Sequence, residues 1–261
     1  MNMKRHLFLL FVALWASSSA WSQSSGEQRR PWSNQFYIIT DKDGYTNIRE
    51  KPTTNSKIID KVVKNEVFFE NNYFCDDYSD VDPNTVPPNW VPVKKDSSTP
   101  VGYVYKEYIM SFRDMNYMSE LRDTGESDTI TCSNGALTVS LILKPFVYEK
   151  HNFAIVSKNN IVYTSIDGEY PKGMHRLEYT KEALVDDREI EAFIINTPQK
   201  KYSLPINAFK NFYNPNWMTV FVGPENELYI SVRCGNDGES FSMMLSVVNG
   251  EIIYVKDTDS C

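Results

Sequence analysis

Closely spaced hairpin signals in the second half of the chain restrict its fold more than any other feature of the sequence. Three pairs of strand-like segments are each separated by a short turn. The pairs are 153–157 with 161–165, 219–222 with 227–233, and 241–248 with 251–256. The last pair encloses Asn249-Gly250, whose residues both accept the positive φ angles of a tight hairpin turn. Residues 136–143 alternate apolar side chains along one face, as a half-buried strand does. The pattern predicts an antiparallel β-sandwich or barrel over residues 129–261.

The composition favours an all-β fold. The chain has 16 tyrosines and 14 phenylalanines, which suit half-buried pleated surfaces.

One short helix is predicted over residues 205–212, because Pro205 suits its first turn and Asn214-Pro215 ends it. Residues 111–128 are polar and mixed in charge. They are predicted to connect two domains and to hold one or two helical turns within 112–122.

A series of short motifs follows in fixed order through residues 36–110. The series comprises Asn47-Ile48-Arg49, Pro52, Trp90 with Val93, Gly102 with Val104, and Tyr108-Ile109. This order resembles the bacterial SH3 domain family, whose members are extracytoplasmic modules that bind ligands. The resemblance covers residues 44–109 and implies an SH3-like barrel over 36–110. No family resemblance is found in the C-terminal half.

The chain departs from the bacterial SH3 pattern in two places. Tyr103 stands where the family usually has tryptophan, and residues 71–89 form a long insertion in place of a short loop. Four aspartates crowd this insertion, namely Asp76, Asp77, Asp80 and Asp82. A calcium loop would add a glycine for its sharp turn and a distal bidentate glutamate, which the segment lacks. A solvated acidic loop is therefore predicted, and no metal site.

The resemblance also implies a ligand-binding groove. In SH3-like barrels, aromatic side chains between the loops line a shallow groove for a peptide or glycan. Here the candidates are Tyr45, Trp90, Tyr103 and Tyr105, with Arg49 as a polar partner. The alternative is that Trp90 and one tyrosine belong to the barrel core and that Arg49 pairs locally. The insertion either covers the groove or supplies ligand contacts itself.

The N-terminus predicts export. Lys4 and Arg5 precede an apolar stretch over 7–15, and Ala20-Trp21-Ser22 offers small residues at the positions that a signal peptidase reads. This stretch is shorter than a membrane span of about 20 apolar residues. We expect a signal peptide over 1–22 and a flexible leader over 23–35, and a periplasmic or secreted protein without an integral membrane segment.

Four cysteines occur, and an exported chain can form disulfides. They are Cys75, Cys132, Cys234 and Cys261, which allow three pairings. Cys234 and Cys261 flank the predicted Asn249-Gly250 hairpin, so this pair is preferred, with Cys132 joined to one of them as the alternative. Cys75 lies in the other predicted domain and is expected to be unpaired. No two cysteines have the close spacing of a zinc site.

The chain is poor in groups that catalyse. Of its three histidines, His6 lies in the signal peptide, and His151 and His175 are predicted to be surface or turn residues. The segment 238–242 imitates a nucleophile elbow but lacks its last glycine and the surrounding strand–turn–helix pattern. No glycine-rich phosphate loop or zinc-binding helix motif is present. The sequence therefore predicts no catalytic residue and no cofactor.

The net charge of the chain limits the classes of partner that it can bind. The formal net charge is −7, which argues against nucleic acid or an anionic membrane surface. Our first hypothesis is an exported, non-enzymatic protein whose SH3-like barrel binds a peptide, protein or cell-wall ligand. The second is an envelope-polymer hydrolase with catalysis in the C-terminal domain. The third is an inhibitor of a cationic envelope enzyme. The sequence leaves the oligomeric state open.

Overall fold

The structure is a computed structural model, and it describes residues 36–71, 81–96, 98–121, 127–158, 161–174, 184, 186–235 and 241–259. The prediction of an all-β fold is confirmed, because antiparallel strands joined by turns and single 3-10 turns make up this part of the chain. No helix among the described residues is long and apolar enough to span a membrane.

The N-terminal sheet has seven strands. They are β1 (Phe36–Ile39), β2 (Tyr45–Arg49), β3 (Ile58–Val63), β4 (Phe68–Glu70), β5 (Trp90–Lys94), β6 (Gly102–Tyr105) and β7 (Ile109–Ser111). Their order is β3-β2-β6-β5-β4-β1-β7. Alternate residues of these strands share one buried cluster, consisting of Ile39, Ile48, Val62, Phe68, Val93 and Val104. The side chains between them point the other way, as the pleat requires.

The central sheet has five strands. They are β8 (Asn116–Leu121), β15 (Pro215–Val222), β16 (Leu228–Cys234), β17 (Phe241–Val248) and β18 (Glu251–Asp259). Their order is β18-β17-β16-β15-β8. The predicted hairpin turn is confirmed, since Asn249 and Gly250 have φ angles of 51° and 82° between β17 and β18.

The outer sheet has four strands in the order β14-β13-β10-β9. They are β9 (Thr129–Ser133), β10 (Thr138–Pro145), β13 (Arg188–Asn196) and β14 (Lys201–Ser203). A separate two-stranded hairpin consists of β11 (Phe153–Lys158) and β12 (Ile161–Ile166). Its base packs beside Phe146 and Tyr213, together with the buried Ile166.

The central sheet is buried on both faces. Met218 and Val220 of β15 belong to the large core shared with the outer sheet. Phe221, the next residue, belongs to a second core that includes Phe36 and Phe112 from the N-terminal part of the chain. Strands buried on both faces are near-continuous apolar runs, which explains the sequence of β15 and β17. The described residues from Phe36 onward form one compact unit.

The segment expected to connect two domains is built into this packing. One helical turn is present, a 3-10 turn at Phe112–Asp114, and Phe112 is fully buried. Asn116–Leu121, expected within the helical stretch, instead forms β8 and pairs with β15 over six residues. Pairing with a distant strand overrides the weak local preference of this polar segment.

The helix predicted over 205–212 is present only as a 3-10 turn at Ile206–Ala208. Phe209 leaves the helical conformation with ψ of 24°, and its side chain is fully buried in the core between the central and outer sheets. Burial of Phe209 and Phe212 determines the path of this segment more than its helix-start signals do.

No disulfide is found among the described residues, so the predicted disulfide bonds have no support there. Cys132 and Cys234 are free, buried thiols in the same core. Cys234 lies opposite Phe241, which lies opposite Asp259 on β18. The predicted partner Cys261 and Cys75 lie outside the described residues.

Several other predictions also fall outside the described residues. These are the signal peptide over 1–22, the leader over 23–35, residues 72–80 of the insertion, and His175. The rest of the insertion holds a 3-10 turn at Pro83–Thr85, where the carboxylate of Asp82 accepts a hydrogen bond from the backbone N–H of Asn84 at 2.9 Å. No group of His, Cys, Asp and Glu within the described ranges is arranged to hold a metal ion.

Candidate ligand-binding face

Aromatic side chains gather on the face of β5 and β6 that points away from the cluster inside the N-terminal sheet. We call this the aromatic face, and it consists of Trp90, Pro92, Tyr103, Tyr105 and Tyr108. The strand β6 alternates buried Gly102 and Val104 with partly exposed Tyr103 and Tyr105. The sequence folds this way because Val91, Val93 and Val104 face inward, which leaves the intervening positions outside.

The register of the two strands brings these side chains together. Trp90 lies opposite Tyr105, and Pro92 lies opposite Tyr103. The rings of Trp90 and Tyr105 meet edge to face with centroids 5.5 Å apart. The ring of Tyr108, from the 3-10 turn Lys106–Tyr108, lies 5.6 Å from that of Tyr105. Aromatic pairs at these distances are attractive beyond their buried area.

A close backbone approach holds β6 in this position. Gly102 lies at its start, and a Cβ atom added there would overlap the side chain of Ile48 and approach the carbonyl oxygen of Arg49 to 3.2 Å. Only glycine allows β6 to lie this close to β2. The strand β2 joins β6 through one pair of opposed residues, Arg49 and Tyr103.

The five predicted binding residues are not all together. Trp90, Tyr103 and Tyr105 lie on the aromatic face, and Arg49 lies opposite Tyr103 at its border. The guanidinium of Arg49 donates a 2.7 Å hydrogen bond to the carbonyl oxygen of Ser56. Arg49 thus pairs locally and anchors the loop between β2 and β3.

Tyr45 lies away from the aromatic face. It occupies the other end of β2, four residues and about 13 Å from Arg49. Its side chain is exposed and has the amine of Lys61 5.7 Å from its ring centroid. Tyr45 is therefore a separate exposed aromatic residue on β2.

Two members of the aromatic face were not among the predicted binding residues. Pro92 follows Trp90 by two positions on the same strand, so strand alternation alone would have placed it beside Tyr103. Tyr108 follows β6 and is 42% exposed. Its contact with Tyr105 depends on the 3-10 turn between them, which the sequence pattern did not indicate.

The polar atoms of the aromatic face form no hydrogen bonds with the described residues. No hydrogen bond within the described part of the chain engages the indole N–H of Trp90 or the hydroxyls of Tyr103, Tyr105 and Tyr108. The aromatic face itself contains no charged side chain. Four hydrogen-bonding groups on a rigid aromatic platform are the means by which proteins hold an uncharged polar ligand.

The cysteines and the histidine that the structure describes, Cys132, Cys234 and His151, lie apart from one another in their contacts. Burial and the nearby Glu120 raise the pKa of the Cys132 thiol to about 12. Burial raises the pKa of the Cys234 thiol as well. Both thiols are therefore protonated and inert at neutral pH. His151 contacts Asp167, Glu189 and the ring of Phe146, and neither thiol lies among these contacts.

Comparison with family models, with curated proteins and with solved structures finds no match.

Proposed function

We propose that the chain is an exported, non-enzymatic binding protein whose N-terminal part, residues 36–110, is an SH3-like barrel. The observation that carries this proposal is the aromatic face, where three tyrosines, one tryptophan and one proline form a continuous surface with unused hydrogen-bonding groups. The motif series that resembles bacterial SH3 domains supplies both strands of this surface.

The ligand that suits this face is an uncharged stretch of a cell-wall polymer. The guanidinium of Arg49, at its border, donates to the carbonyl oxygen of Ser56. Tyrosine hydroxyls and an indole N–H then provide the polar contacts, and the rings provide apolar area. An acidic ligand would lack a cationic partner on this surface.

Co-sedimentation with purified peptidoglycan tests the proposal. The wild-type protein should pellet with the polymer, and Tyr108→Ala and Tyr105→Ala should remain largely in the supernatant. Tyr117→Ala is the matched control, because Tyr117 is 45% exposed on β8, outside the aromatic face. Loss of retention in the control together with the two variants would contradict binding through the aromatic face, and no retention of the wild type would contradict the ligand class.

A further inference from the structure

A histidine links the β11–β12 hairpin to the outer sheet. His151 directly follows the 3-10 turn Tyr148–Lys150, and its side chain is 11% exposed. Its Nδ1 lies 2.7 Å from a carboxylate oxygen of Asp167, in the turn after β12. Its Nε2 lies 3.0 Å from a carboxylate oxygen of Glu189, on β13.

Two carboxylates at the two ring nitrogens determine the protonation of the imidazole. A carboxylate only accepts hydrogen bonds, and neutral imidazole has one N–H and one lone pair. In the neutral form, one nitrogen lone pair of His151 would therefore face carboxylate lone pairs of Asp167 or Glu189. Only the doubly protonated ring donates to both carboxylates, and such charge-assisted hydrogen bonds are the strong kind.

The surroundings reinforce this arrangement. The ring of His151 stacks on that of Phe146 with centroids 4.4 Å apart. The other groups close to the pair of carboxylates are Lys144 of β10, which lies 3.3 Å from Glu189, and the phenol of Tyr213. Burial first, and then the charges of Glu189 and Asp167, raise the pKa of Tyr213, so its phenol is neutral wherever histidine titrates.

The contacts of Asp167 belong to the base of the hairpin, whereas Glu189 belongs to the sheet. Asp167 accepts a hydrogen bond from the backbone N–H of Asn152 at 2.9 Å, and this bond, followed by His151, lowers the pKa of its carboxyl group. The sequence neighbours of these residues are charged too, with Glu149 and Lys150 before His151, and Arg188 ion-paired with Asp128 at 2.9 Å. The contact between His151 and Glu189 therefore joins the hairpin base to the outer sheet.

We propose that His151 is a proton-dependent clasp, which holds the β11–β12 hairpin against the outer sheet while the imidazole carries both ring protons and releases it when the proton on Nε2, which faces Glu189, is lost. The hairpin forms no strand pair with the three larger sheets of the described structure. Besides this clasp, apolar contacts of Phe153 and Ile166 and an ion pair of Glu169 with Lys210 at 3.4 Å hold its base. The released state exposes Glu189 and the base of the hairpin in alkaline solution.

Hydrogen–deuterium exchange of the full chain tests the clasp. Backbone amides of residues 153–158 and 161–166 are followed at about pH 5.5 and about pH 8.5, with correction for intrinsic exchange rates. We expect protection of the hairpin to fall roughly tenfold at the higher pH, as loss of a charge-assisted hydrogen bond implies. Amides of β16 and β17 should show equal protection at both pH values.

Glu189→Gln separates the clasp from a merely structural contact. The glutamine amide donates to a neutral ring nitrogen as readily as its oxygen accepts from a protonated one, so hairpin protection in this variant should be the same at both pH values. His151→Gln should give low protection at both. Equal protection of the wild-type hairpin at the two pH values would overturn the proposal, and so would an unchanged pH dependence in Glu189→Gln.

Discussion

Gly250, the second residue of the turn between β17 and β18, shows how one missing side chain joins two sheets. Its φ is 82°, and a Cβ atom added there would overlap the ring of Tyr202 on β14. The hairpin of the central sheet can therefore lie directly against an edge strand of the outer sheet. Gly135 has a similar φ of 85° but has no atom within 4 Å of an added Cβ. The two glycines differ in packing and agree in backbone conformation.

Gly250→Ala should lower the free energy of unfolding more than Gly135→Ala does. Both variants lose stability from the positive φ, roughly 1 kcal/mol, and Gly250→Ala adds about 1–3 kcal/mol because Tyr202 must move. Urea unfolding of both variants measures the difference. Equal losses of stability in the two variants would show that Tyr202 moves aside without a loss of stability, contrary to this prediction.

Ser246 is a second residue whose environment makes a specific prediction. Its hydroxyl is fully buried on β17 and has no hydrogen-bond partner among the residues that the structure describes. Ser246→Ala should leave stability unchanged or raise it by about 1 kcal/mol, because an unpaired buried polar group is removed. Ser119→Ala is the control, since the Ser119 hydroxyl accepts from the indole N–H of Trp217 and bonds Thr219 at 3.0 Å. Thermal unfolding that shows equal destabilisation in both variants would contradict the assignment.

At the scale of elements, β18 forms a boundary between the central sheet and the N-terminal sheet. The amine of Lys256 lies 4.3 Å from the ring centroid of Phe69 on β4. Burial lowers the pKa of Lys256 to about 8, against the raising effects of Asp96 and Glu66. Burial in the folded state therefore disfavours the protonated form of Lys256.

The stability of the wild type relative to Lys256→Met should rise with pH. Between about pH 8 and the usual lysine range, the unfolded state binds the Lys256 proton and the folded state does not, so unfolding becomes less favourable as pH increases. Methionine fills the same space without a proton to lose. Guanidinium unfolding of both proteins from pH 7 to pH 10 measures the difference between their free energies of unfolding. If this difference did not change with pH, Lys256 would have the same pKa in the folded and the unfolded state, which would contradict the prediction.

The sequence predicts elements well where the signal is local. The β17–β18 hairpin was located correctly because Asn249 and Gly250 determine the turn by themselves. The strand β8 was missed because its residues, Asn116–Leu121, become a strand only through pairing with β15, about 100 positions away. The contacts of His151 could not be predicted for the same reason, since Asp167 and Glu189 lie 16 and 38 residues further along the chain.

The aromatic face was partly predictable. Strand alternation and the family resemblance indicated Trp90, Tyr103 and Tyr105, and the structure places these three side by side. For Arg49 the sequence left a ligand contact and a local pairing open, and its hydrogen bond to the carbonyl oxygen of Ser56 is a local pairing. Tyr108 joins through a 3-10 turn.

At the scale of the whole molecule, three β layers are joined by two cores. The central sheet contributes Met218 and Val220 to one core, and Phe221 and Tyr229 to the other. Tyr229 is fully buried, and its hydroxyl donates to the carboxylate of Glu227 at 3.2 Å. Removal of either outer layer would expose one of these cores, which for each large aromatic side chain costs on the order of 2–3 kcal/mol.

The described residues should therefore unfold in one step. Guanidinium unfolding followed by tryptophan fluorescence and by far-ultraviolet circular dichroism should give coincident transitions. Among the described residues, Trp90 in the N-terminal sheet and Trp217 in the central sheet contribute to this fluorescence. Two separated transitions would show that the N-terminal sheet is a domain with stability of its own.

The central claim is that the aromatic face binds an uncharged cell-wall polymer, and calorimetric titration with soluble peptidoglycan fragments tests it most directly. The wild type and Tyr117→Ala should bind with the same dissociation constant. Tyr108→Ala should bind at least about tenfold more weakly, the effect of roughly 1.4 kcal/mol. Equal affinity of Tyr108→Ala and the wild type, or no binding by either, would contradict the claim.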